Sequence, residues 1–578
     1  MDEEPTHEST TARSLPWAAA FALVAALLVV ATVGDYGVAW DESVQARYGD
    51  LSLDYFASGF HDRSYAEFWN LRYYGALFEM VASALGRLDP ARALDIRHAC
   101  IAATWVLAVL AAIRFARLLD LALVPAFACL ALATLPAFYG HAFQNSKDMP
   151  FAAAFAWSMV AIATWLGRSR PSWRDAALAG VMMGLVIAVR VGGVLVFGFL
   201  AVGLACRWWL GIGSVAAGAL PGLERSAPGE AGGEDLPRGG GREERLAAAR
   251  RLLRLAAQTA VVAAIAWALM VATWPFAQEA PIRNPLEALA VATAFPVRFP
   301  VLFEGGYLPS DALPGRYLGQ LLVMKTPPAL LGLALGALVA AILALPIVRA
   351  EPRTRPPRAT LALVLLVAWV VLPPALFALG RPAAYDGMRH FLFVLPGVAL
   401  LAACGAAGIV SLVESPRLRQ VATCALALIL VDPIVDLVRL HPYQMTYFNQ
   451  FAGGVGRAWR LYDTDYWATS YREGMEWIHG QVGGGREAVV LVAANDYSRA
   501  CAATYGAPNL RVETIWEGGI DGPIAGPLPP GVDYYLSTTR VGLAANFAEA
   551  PIVHTIGRDG AIFAVVRGRQ KLALAGAR

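Results

Sequence analysis

Asp41 and Glu42 stand side by side directly after the first long apolar run, in the stretch Val38-Ala39-Trp40-Asp41-Glu42-Ser43. An acidic pair this close to a membrane is costly unless it is paired or has a chemical role. One of the two carboxylates could act as a general base that removes a proton from a hydroxyl group. The alternative is a solvated loop in which the acids only cap the following helix.

Further ionisable residues stand where other apolar runs begin or end, namely Lys147, Asp148, Arg190, Lys325, Asp386, Arg389 and His390. Arginine and lysine in such positions suit a phosphate group, which they can bind and stabilise as it leaves. Each residue also has a structural alternative. Asp148 could cap the helix that Pro150 begins, the lysines and Arg190 could reach lipid headgroups, and His390 could be an interfacial histidine.

The elements that must position these residues are membrane helices. The chain has 578 residues, of which 57% are hydrophobic and 16% charged, with a formal net charge of +3. Apolar runs of about 18 residues or more recur along it, as is typical of a polytopic helical membrane protein. The small net charge argues against nucleic-acid binding. The six cysteines show no disulfide framework and no CxxC spacing.

About eleven spans are predicted, with the N-terminus inside and the C-terminus outside. Basic loops such as 168–174 and 349–358 are expected on the cytoplasmic side. The predicted spans lie at 15–33, 98–119, 121–140, 150–167, 175–206 with two crossings, 255–273, 327–346, 360–379, 391–411 and 420–438.

Residues 175–206 must cross twice because basic segments flank them on both sides. This predicts a helical hairpin with Arg190 at its tip. An arm of this length reaches about 22–25 Å, so the tip should lie in the outer part of the bilayer. Arg190 is therefore a candidate anion ligand, with extension to the lipid headgroups as the alternative.

Two domains are predicted. Residues 1–440 form a catalytic membrane domain with outer loops 34–97 and 274–326 and a flexible cytoplasmic linker at 222–245, which is rich in Gly, Pro and charge. Residues 441–578 form an extracytoplasmic α/β domain. Within it, strands are predicted at Ala488–Ala493, Tyr534–Thr538 and Ala561–Val566, and a helix near Tyr497–Tyr505.

The order of the short charged motifs along the chain resembles that of the GT-C glycosyltransferases of the protein O-mannosyltransferase type, which include the lipid A aminoarabinose transferases. The resemblance covers about residues 15–440. It rests on Asp41-Glu42 after the first helix, the turn with Asp148, Arg190 after the run Gly180–Val189, and the pair Arg389-His390. Later pieces are similar to bacterial family 39 members: Lys325–Pro328, His441–Gln450 and Tyr462–Trp467. Where the family commonly has a tyrosine after the late arginine, this chain has His390.

The resemblance implies an inverting transfer of a hexose or pentose from a polyprenyl-phosphate sugar to an acceptor glycan, lipid or protein at the outer face of a bacterial inner membrane. It implies Asp41 as general base, with Glu42 and Asp148 positioning the acceptor or tuning that base. Arg190, Arg389, Lys147, Lys325 and His390 would bind the donor phosphate. His61, Tyr74 and Asp386 are predicted to contact the acceptor or support the site. No cofactor is expected, and a divalent metal is disfavoured because it would compete with the arginines for the phosphate.

Two alternatives stay open at this point. A transporter or flippase for a lipid-linked substrate would carry ionisable residues at mid-depth along several helices. In this sequence the predicted spans are almost free of charge in their interiors, which favours interfacial chemistry. A non-catalytic assembly factor would leave the acidic pair at 41 and 42 without a role.

Overall fold

The computed structural model describes residues 15–212, 240–293, 297–350, 356–493, 496–515 and 518–569. The described chain is a polytopic helical membrane protein with a sheet near its C-terminal end. Up to residue 293 the α-helices are α1 (Leu15–Thr32), α2 (Trp40–Ala57), α3 (Ser64–Glu67), α4 (Leu77–Gly86), α5 (Ala93–Ala116), α6 (Val124–Ala133), α7 (Pro136–Tyr139), α8 (Asp148–Gly167), α9 (Trp173–Val189), α10 (Leu195–Trp209), α11 (Gly240–Thr273), α12 (Pro275–Glu279) and α13 (Arg283–Thr293).

A short hairpin of β1 (Pro300–Phe303) and β2 (Gly306–Pro309) follows. The remaining helices are α14 (Tyr317–Met324), α15 (Pro328–Ala350), α16 (Pro357–Gly380), α17 (Leu395–Ser411), α18 (Pro416–Leu428), α19 (Val431–Arg439), α20 (Gly454–Ala458), α21 (Tyr471–Val482) and α22 (Asp496–Thr504). The other strands are β3 (Ala488–Ala493), β4 (Leu510–Ile515), β5 (Tyr534–Thr538), β6 (Ile552–Ile556) and β7 (Ala564–Gly568).

Eight segments in the described residues are long and apolar enough to cross a membrane. They lie at Ala18–Asp35, Pro90–Leu119, Asp148–Gly167, Val191–Trp209, Arg245–Thr273, Pro357–Gly380, Arg389–Ser411 and Pro416–Arg439. A helix lies at every position where a span is predicted, but α6 and α9, with 10 and 17 residues, are shorter than the eight segments above. The predicted run 121–140 is broken into α6 and α7, because Pro136 begins a new helix and cannot continue the old one.

α8 lies in the centre of the bundle and is buried along most of its length, between α5, α9 and α16. Its many alanines allow neighbouring helices to approach closely. The helices at the periphery instead expose large apolar side chains such as Val30, Leu343 and Leu428. Exposed apolar faces of this kind fit contact with lipid.

The predicted outer loop 34–97 is mostly helical. α2 begins at Trp40 because two acids in its first turn interact favourably with the helix dipole. Glu42 also accepts a hydrogen bond from the backbone N–H of Ala39 at 2.7 Å, which satisfies a donor that the helix itself leaves free. The start of α2 is thereby fixed, and with it the position of Asp41.

The C-terminal sheet has the strand order β4-β3-β5-β7-β6. β3 is parallel to β4 and β5, whereas β7 is antiparallel to β5 and β6. The predicted strands 488–493 and 534–538 agree with β3 and β5, and the predicted helix agrees with α22. The third predicted strand is shifted to Ala564–Gly568, and β4 and β6 were not predicted.

The predicted linker 222–245 is only partly within the described residues, since 213–239 lie outside them. From Gly240 onward it is not a linker but the start of α11, because the run of Arg, Glu, Leu and Ala there favours helix. The predicted domain boundary at 440 stays a prediction. The sheet and the membrane helices contribute to one continuous apolar core.

Candidate functional site

Asp41 and Lys147 form an ion pair at one end of the helical bundle. Lys147 Nζ donates to Asp41 Oδ2 at 2.8 Å, and the Asp41 side chain keeps 31% exposure. Burial raises the pKa of Asp41, but Lys147, Arg389 and Arg540 together outweigh it and hold the pKa below its ordinary value. Asp41 is therefore ionised at neutral pH and can accept a proton from a group that enters the site.

Glu42 is buried and lies against two partners. Its Oε2 accepts from the Ala39 N–H, and His98 Nε2 lies 3.0 Å from Oε1. Helix capping, the structural alternative for the acidic pair, therefore describes Glu42 but not Asp41. Glu42 holds the helix turn that carries Asp41.

Asp148 lies between two arginines. It pairs with Arg190 through Oδ1 and with Arg389 Nη1 through Oδ2, at 3.2 Å in the second case. Asp148 does not cap α8 with its side chain. Instead, its backbone N–H donates to Asn145 Oδ1 at 2.8 Å, and Asn145 caps the helix. The Asp148 carboxylate thus joins the end of α9 to the segment that precedes α17.

Arg389 is 2% exposed, and its guanidinium is enclosed. It donates to Asp386 Oδ2 at 3.1 Å in addition to Asp148. Its guanidinium carbon lies 4.9 Å from the centre of the Tyr385 ring and 5.3 Å from that of Trp467. An arginine held by two carboxylates and two rings positions its neighbours and has little capacity left for a substrate.

Arg190 and Tyr74 line the more open side of the cluster. Arg190 follows the last residue of α9 in extended conformation, and its side chain is 20% exposed. The Tyr74 ring lies 6.0 Å from the Arg190 guanidinium carbon and 5.8 Å from Lys147 Nζ. The next residue, Gly75, packs so closely on Ala188 that a Cβ there would clash with the Ala188 carbonyl oxygen. This close approach brings Tyr74 against the residues that join α9 to α10, where Arg190 lies.

Lys325 lies in a different environment from Asp41. It is 4% exposed, its Nζ donates to the Met445 carbonyl at 3.2 Å, and it lies 3.7 Å from the centre of the Phe448 ring. The carboxyl group of Asp463 acts on it electrostatically. Burial lowers the pKa of Lys325 to about 7.

His390 keeps a buried ring nitrogen, Nε2, without a hydrogen-bond partner among the described residues. Its ring meets that of Tyr385 edge to face at 4.7 Å, and the charges of Arg389, Arg190 and Lys147 reach it. A buried polar atom without a partner beside three cations is a place where an anionic ligand oxygen would be accommodated.

The structure does not bring His61 to this cluster. His61 is exposed in the turn after α2, where its backbone N–H donates to Ser58 Oγ, and its side chain joins none of the contacts above. Asp386, by contrast, is buried at the centre of the network, between Arg389 and Arg540. Of its two predicted roles, this geometry favours support of the site over contact with an acceptor.

Sequence reasoning missed three residues of the site, Asp463, Trp467 and Arg540. Asp463 and Trp467 belong to the segment Tyr462–Trp467, which resembles family 39 members, so a signal existed. Arg540 follows β5 and lies in no motif. In the described residues no group of three or more His, Cys, Asp or Glu could hold a metal ion. Metal independence stays a prediction.

No protein-family model and no curated protein matches this chain. Among solved structures it is similar to the apo oligosaccharyltransferase of Archaeoglobus fulgidus, with 12% identity, a TM-score of 0.47, and coverage of 90% of this chain and 69% of that one. It is also similar to apo ArnT from Cupriavidus metallidurans, with 14% identity, a TM-score of 0.43, and coverage of 96% and 98%. A third similar structure is the mycobacterial arabinofuranosyltransferase AftD, with 16% identity, a TM-score of 0.40, and coverage of 96% and 40%. Because these identities and TM-scores are low, we base the function on the geometry of the site.

Proposed function

We propose that the protein is an integral-membrane glycosyltransferase of the GT-C type that takes its sugar from a polyprenyl-phosphate donor. One observation carries this proposal: the partly exposed carboxylate of Asp41 is held at 2.8 Å from Lys147, in one charge cluster with Arg190 at the ends of apolar helices. A general base beside partly exposed cationic side chains suits the transfer of a sugar to a hydroxyl acceptor with phosphate as the leaving group.

In the proposed reaction, the acceptor hydroxyl oxygen attacks the anomeric carbon of the sugar from the face opposite the phosphate. The new C–O bond forms as the bond between that carbon and the phosphate oxygen breaks, so the configuration is inverted. The hydroxyl proton passes to Asp41, and the electron pair of the broken bond leaves with the polyprenyl phosphate. Because the lipid is the carrier, the step needs no nucleotide and, as we propose, no metal.

The geometry favours Lys147 and Arg190 as the groups that meet the phosphate. They keep 13% and 20% exposure, whereas Arg389 and Lys325 are almost completely buried. The unpartnered His390 Nε2 could donate to a further phosphate oxygen. We therefore assign Arg389 the role of holding Asp148 in place and, through Asp148, Arg190, which meets the donor phosphate. The apolar surface of the surrounding helices would accommodate the isoprenoid tail.

We further propose that the site and the C-terminal sheet face the outside of a bacterial inner membrane. The support is the predicted placement of the basic loops 168–174 and 349–358 on the cytoplasmic side. The acceptor would be a hydroxyl-bearing glycan, lipid or protein on that outer side.

The test is Asp41→Asn, assayed in membranes with synthetic polyprenyl-phosphate hexose and pentose donors. Asn keeps the shape of the side chain but cannot take the proton, so release of polyprenyl phosphate should fall by about 10²–10⁴-fold. The matched control is Asp54→Asn on the same helix, whose carboxylate is 39% exposed and pairs with Arg87. It should retain wild-type transfer. Wild-type transfer by the Asp41→Asn variant would refute the proposal.

A further inference from the structure

Arg540 reaches from the C-terminal sheet into the charge cluster. It lies two residues after the end of β5, and its side chain is 9% exposed. Its Nη2 lies 2.7 Å from Asp386 Oδ1, and its Nη1 donates to the Tyr466 carbonyl at 2.6 Å. Its guanidinium carbon lies 4.6 Å from the centre of the Trp40 ring. One side chain therefore contacts three segments outside the sheet: the start of α2, the segment before α17 and the segment before α21.

The turn that presents Arg540 has an unusual backbone. Val541 has φ of 44°, a left-handed conformation that is rare for a β-branched residue, and Gly542 follows with φ of 71°. Gly519 packs so tightly on this turn that a Cβ would lie 2.3 Å from the Val541 carbonyl oxygen. Such conformations cost free energy and persist where the surrounding structure enforces them, often at functional sites.

Arg540 is the end of a chain of alternating charges. The order of contacts is Arg540, Asp386, Arg389, Asp148 and Arg190. Each carboxylate bridges two guanidinium groups. Because the inner members are almost completely buried, a missing charge at one end cannot be replaced by solvent and should affect its neighbour.

Arg540 also touches the segment that carries the proposed base. Trp40, on whose ring the guanidinium stacks, is the first residue of α2 and directly precedes Asp41. The Trp40 N–H donates to the Trp467 carbonyl at 3.0 Å. The start of α2 is thus held from one side by Arg540 and from the other by the segment before α21.

We propose that Arg540 is a positioning residue of the transfer site: through Asp386 it fixes Arg389, and through Trp40 it fixes the helix turn that carries Asp41. The site is then complete only when the C-terminal sheet is seated on the membrane helices. The positioning follows from the contacts of Arg540, whereas its consequence for catalysis rests on the proposed function.

Hydrogen exchange measured by mass spectrometry on the full chain in detergent tests the positioning directly. In Arg540→Gln, peptides covering residues 40–48 and 386–394 should exchange about tenfold faster, as expected when a buried ion pair is broken and the segments that it holds open more easily. Arg540→Lys keeps the charge opposite Asp386, so the increase should be smaller. If the Gln variant does not fold, the Lys variant carries the same test with this smaller increase.

The matched control is Arg558→Gln. Arg558 also joins the C-terminal part to the rest of the chain, by donating to the His441 carbonyl at 3.1 Å and stacking on Tyr443, but it does not touch the cluster. Its loss should leave peptides 40–48 and 386–394 unchanged. Unchanged exchange in both Arg540 variants, or an equal increase in Arg558→Gln, would overturn the proposal.

A second readout is the pH profile of transfer. The groups that interact electrostatically with Asp41 are Lys147, Arg190, Arg389, Arg540, Tyr385, Tyr497 and Cys501. Removal of the Arg540 charge should raise the pKa of Asp41, so the acid limb of the profile should move to higher pH in Arg540→Gln and stay in place in Arg540→Lys. Failure of the proposed function would show in the Asp41→Asn assay, whereas failure of this inference would show in the exchange data.

Discussion

The charge cluster has two halves with opposite properties. The closed half consists of Asp148, Asp386, Arg389 and Arg540, whose side chains are 2–9% exposed and bridge one another. The open half consists of Asp41, Lys147 and Arg190, with 13–31% exposure. Both halves contain the same kinds of residue. The difference lies in access to a substrate.

Residue type alone therefore does not distinguish a chemical role from a positioning role. Buried charges are expensive to desolvate and are retained when partners satisfy them, which is the state of the closed half. Groups with remaining exposure can exchange a partner or water for a ligand, which is the state of the open half. We therefore attribute the geometry of the site to the first half and its chemistry to the second.

The largest effect is expected from Asp148→Asn, in the closed half. It would leave Arg190 without its carboxylate partner and Arg389 with only Asp386. Breaking a buried pair in this way should destabilise the protein by about 3–5 kcal/mol. Thermal unfolding in detergent measures it, with Asp41→Asn as the comparison, for which the loss should stay below about 1 kcal/mol. Equal unfolding temperatures for the two variants would remove the distinction between the halves.

Lys147→Met, in the open half, should change the free energy of unfolding less than Asp148→Asn does. Its main expected effect is on the rate of transfer. Transfer should fall by about 10²–10³-fold, because a cation that meets the phosphate is lost. Lys147 is the strongest attraction that lowers the pKa of Asp41, so that pKa should rise. Activity requires the ionised carboxylate and is lost as pH falls through its pKa, so the acid limb should move to higher pH.

Lys147→Arg is the control for this prediction, because it keeps the positive charge beside Asp41. Its acid limb should coincide with that of the wild type. An unshifted profile in Lys147→Met would mean that the open half does not control the proton acceptor.

The smallest effect concerns Asp463, which borders the closed half. Burial raises the pKa of its carboxyl to about 7, with Asp386 adding to the rise and Arg540 opposing it. The folded protein thus binds this proton more tightly than the unfolded chain, whose value is about 3.9. The contribution of protonated Asp463 to the free energy of unfolding is fully present below the unfolded-state pKa of about 3.9. It is lost as the pH rises through the folded-state pKa of about 7.

Asp463→Asn should remove this dependence, since an amide stays neutral. Between about pH 5 and about pH 8, the free energy of unfolding of the wild type should fall by on the order of 1–3 kcal/mol more than that of the variant. Parallel curves for the two proteins would show that Asp463 is not held neutral by its surroundings.

The apolar runs in the sequence predicted the membrane helices and the helix ends at which charged residues lie. Arg190 at the tip of a hairpin and Lys147 beside Asp148 follow from local order and from the sidedness of basic loops. The internal structure of loop 34–97 did not follow. Its main helix, α2, mixes acidic, polar and aromatic residues throughout and contains no long apolar run that would mark it as a helix in a membrane protein.

The closed half could not be predicted for a different reason. The burial of Arg389, the central place of Asp386 and the contribution of Arg540 depend on contacts between residues far apart in the chain. No local sequence pattern distinguishes an arginine that stays at the surface from one whose side chain is buried against another segment. The short motif Tyr462–Trp467 marked part of this region, but not what its residues contact.

The hydrogen bond from the Trp40 N–H to the Trp467 carbonyl has a consequence for biosynthesis. Residues 41–466, which include almost the whole membrane bundle, are translated between the two partners, so the turn that bears Asp41 cannot form this hydrogen bond until residue 467 has been synthesised. A chain that stops before residue 467 therefore lacks this contact at the start of α2. The final orientation of the proposed base accordingly depends on a segment that is made after the membrane helices.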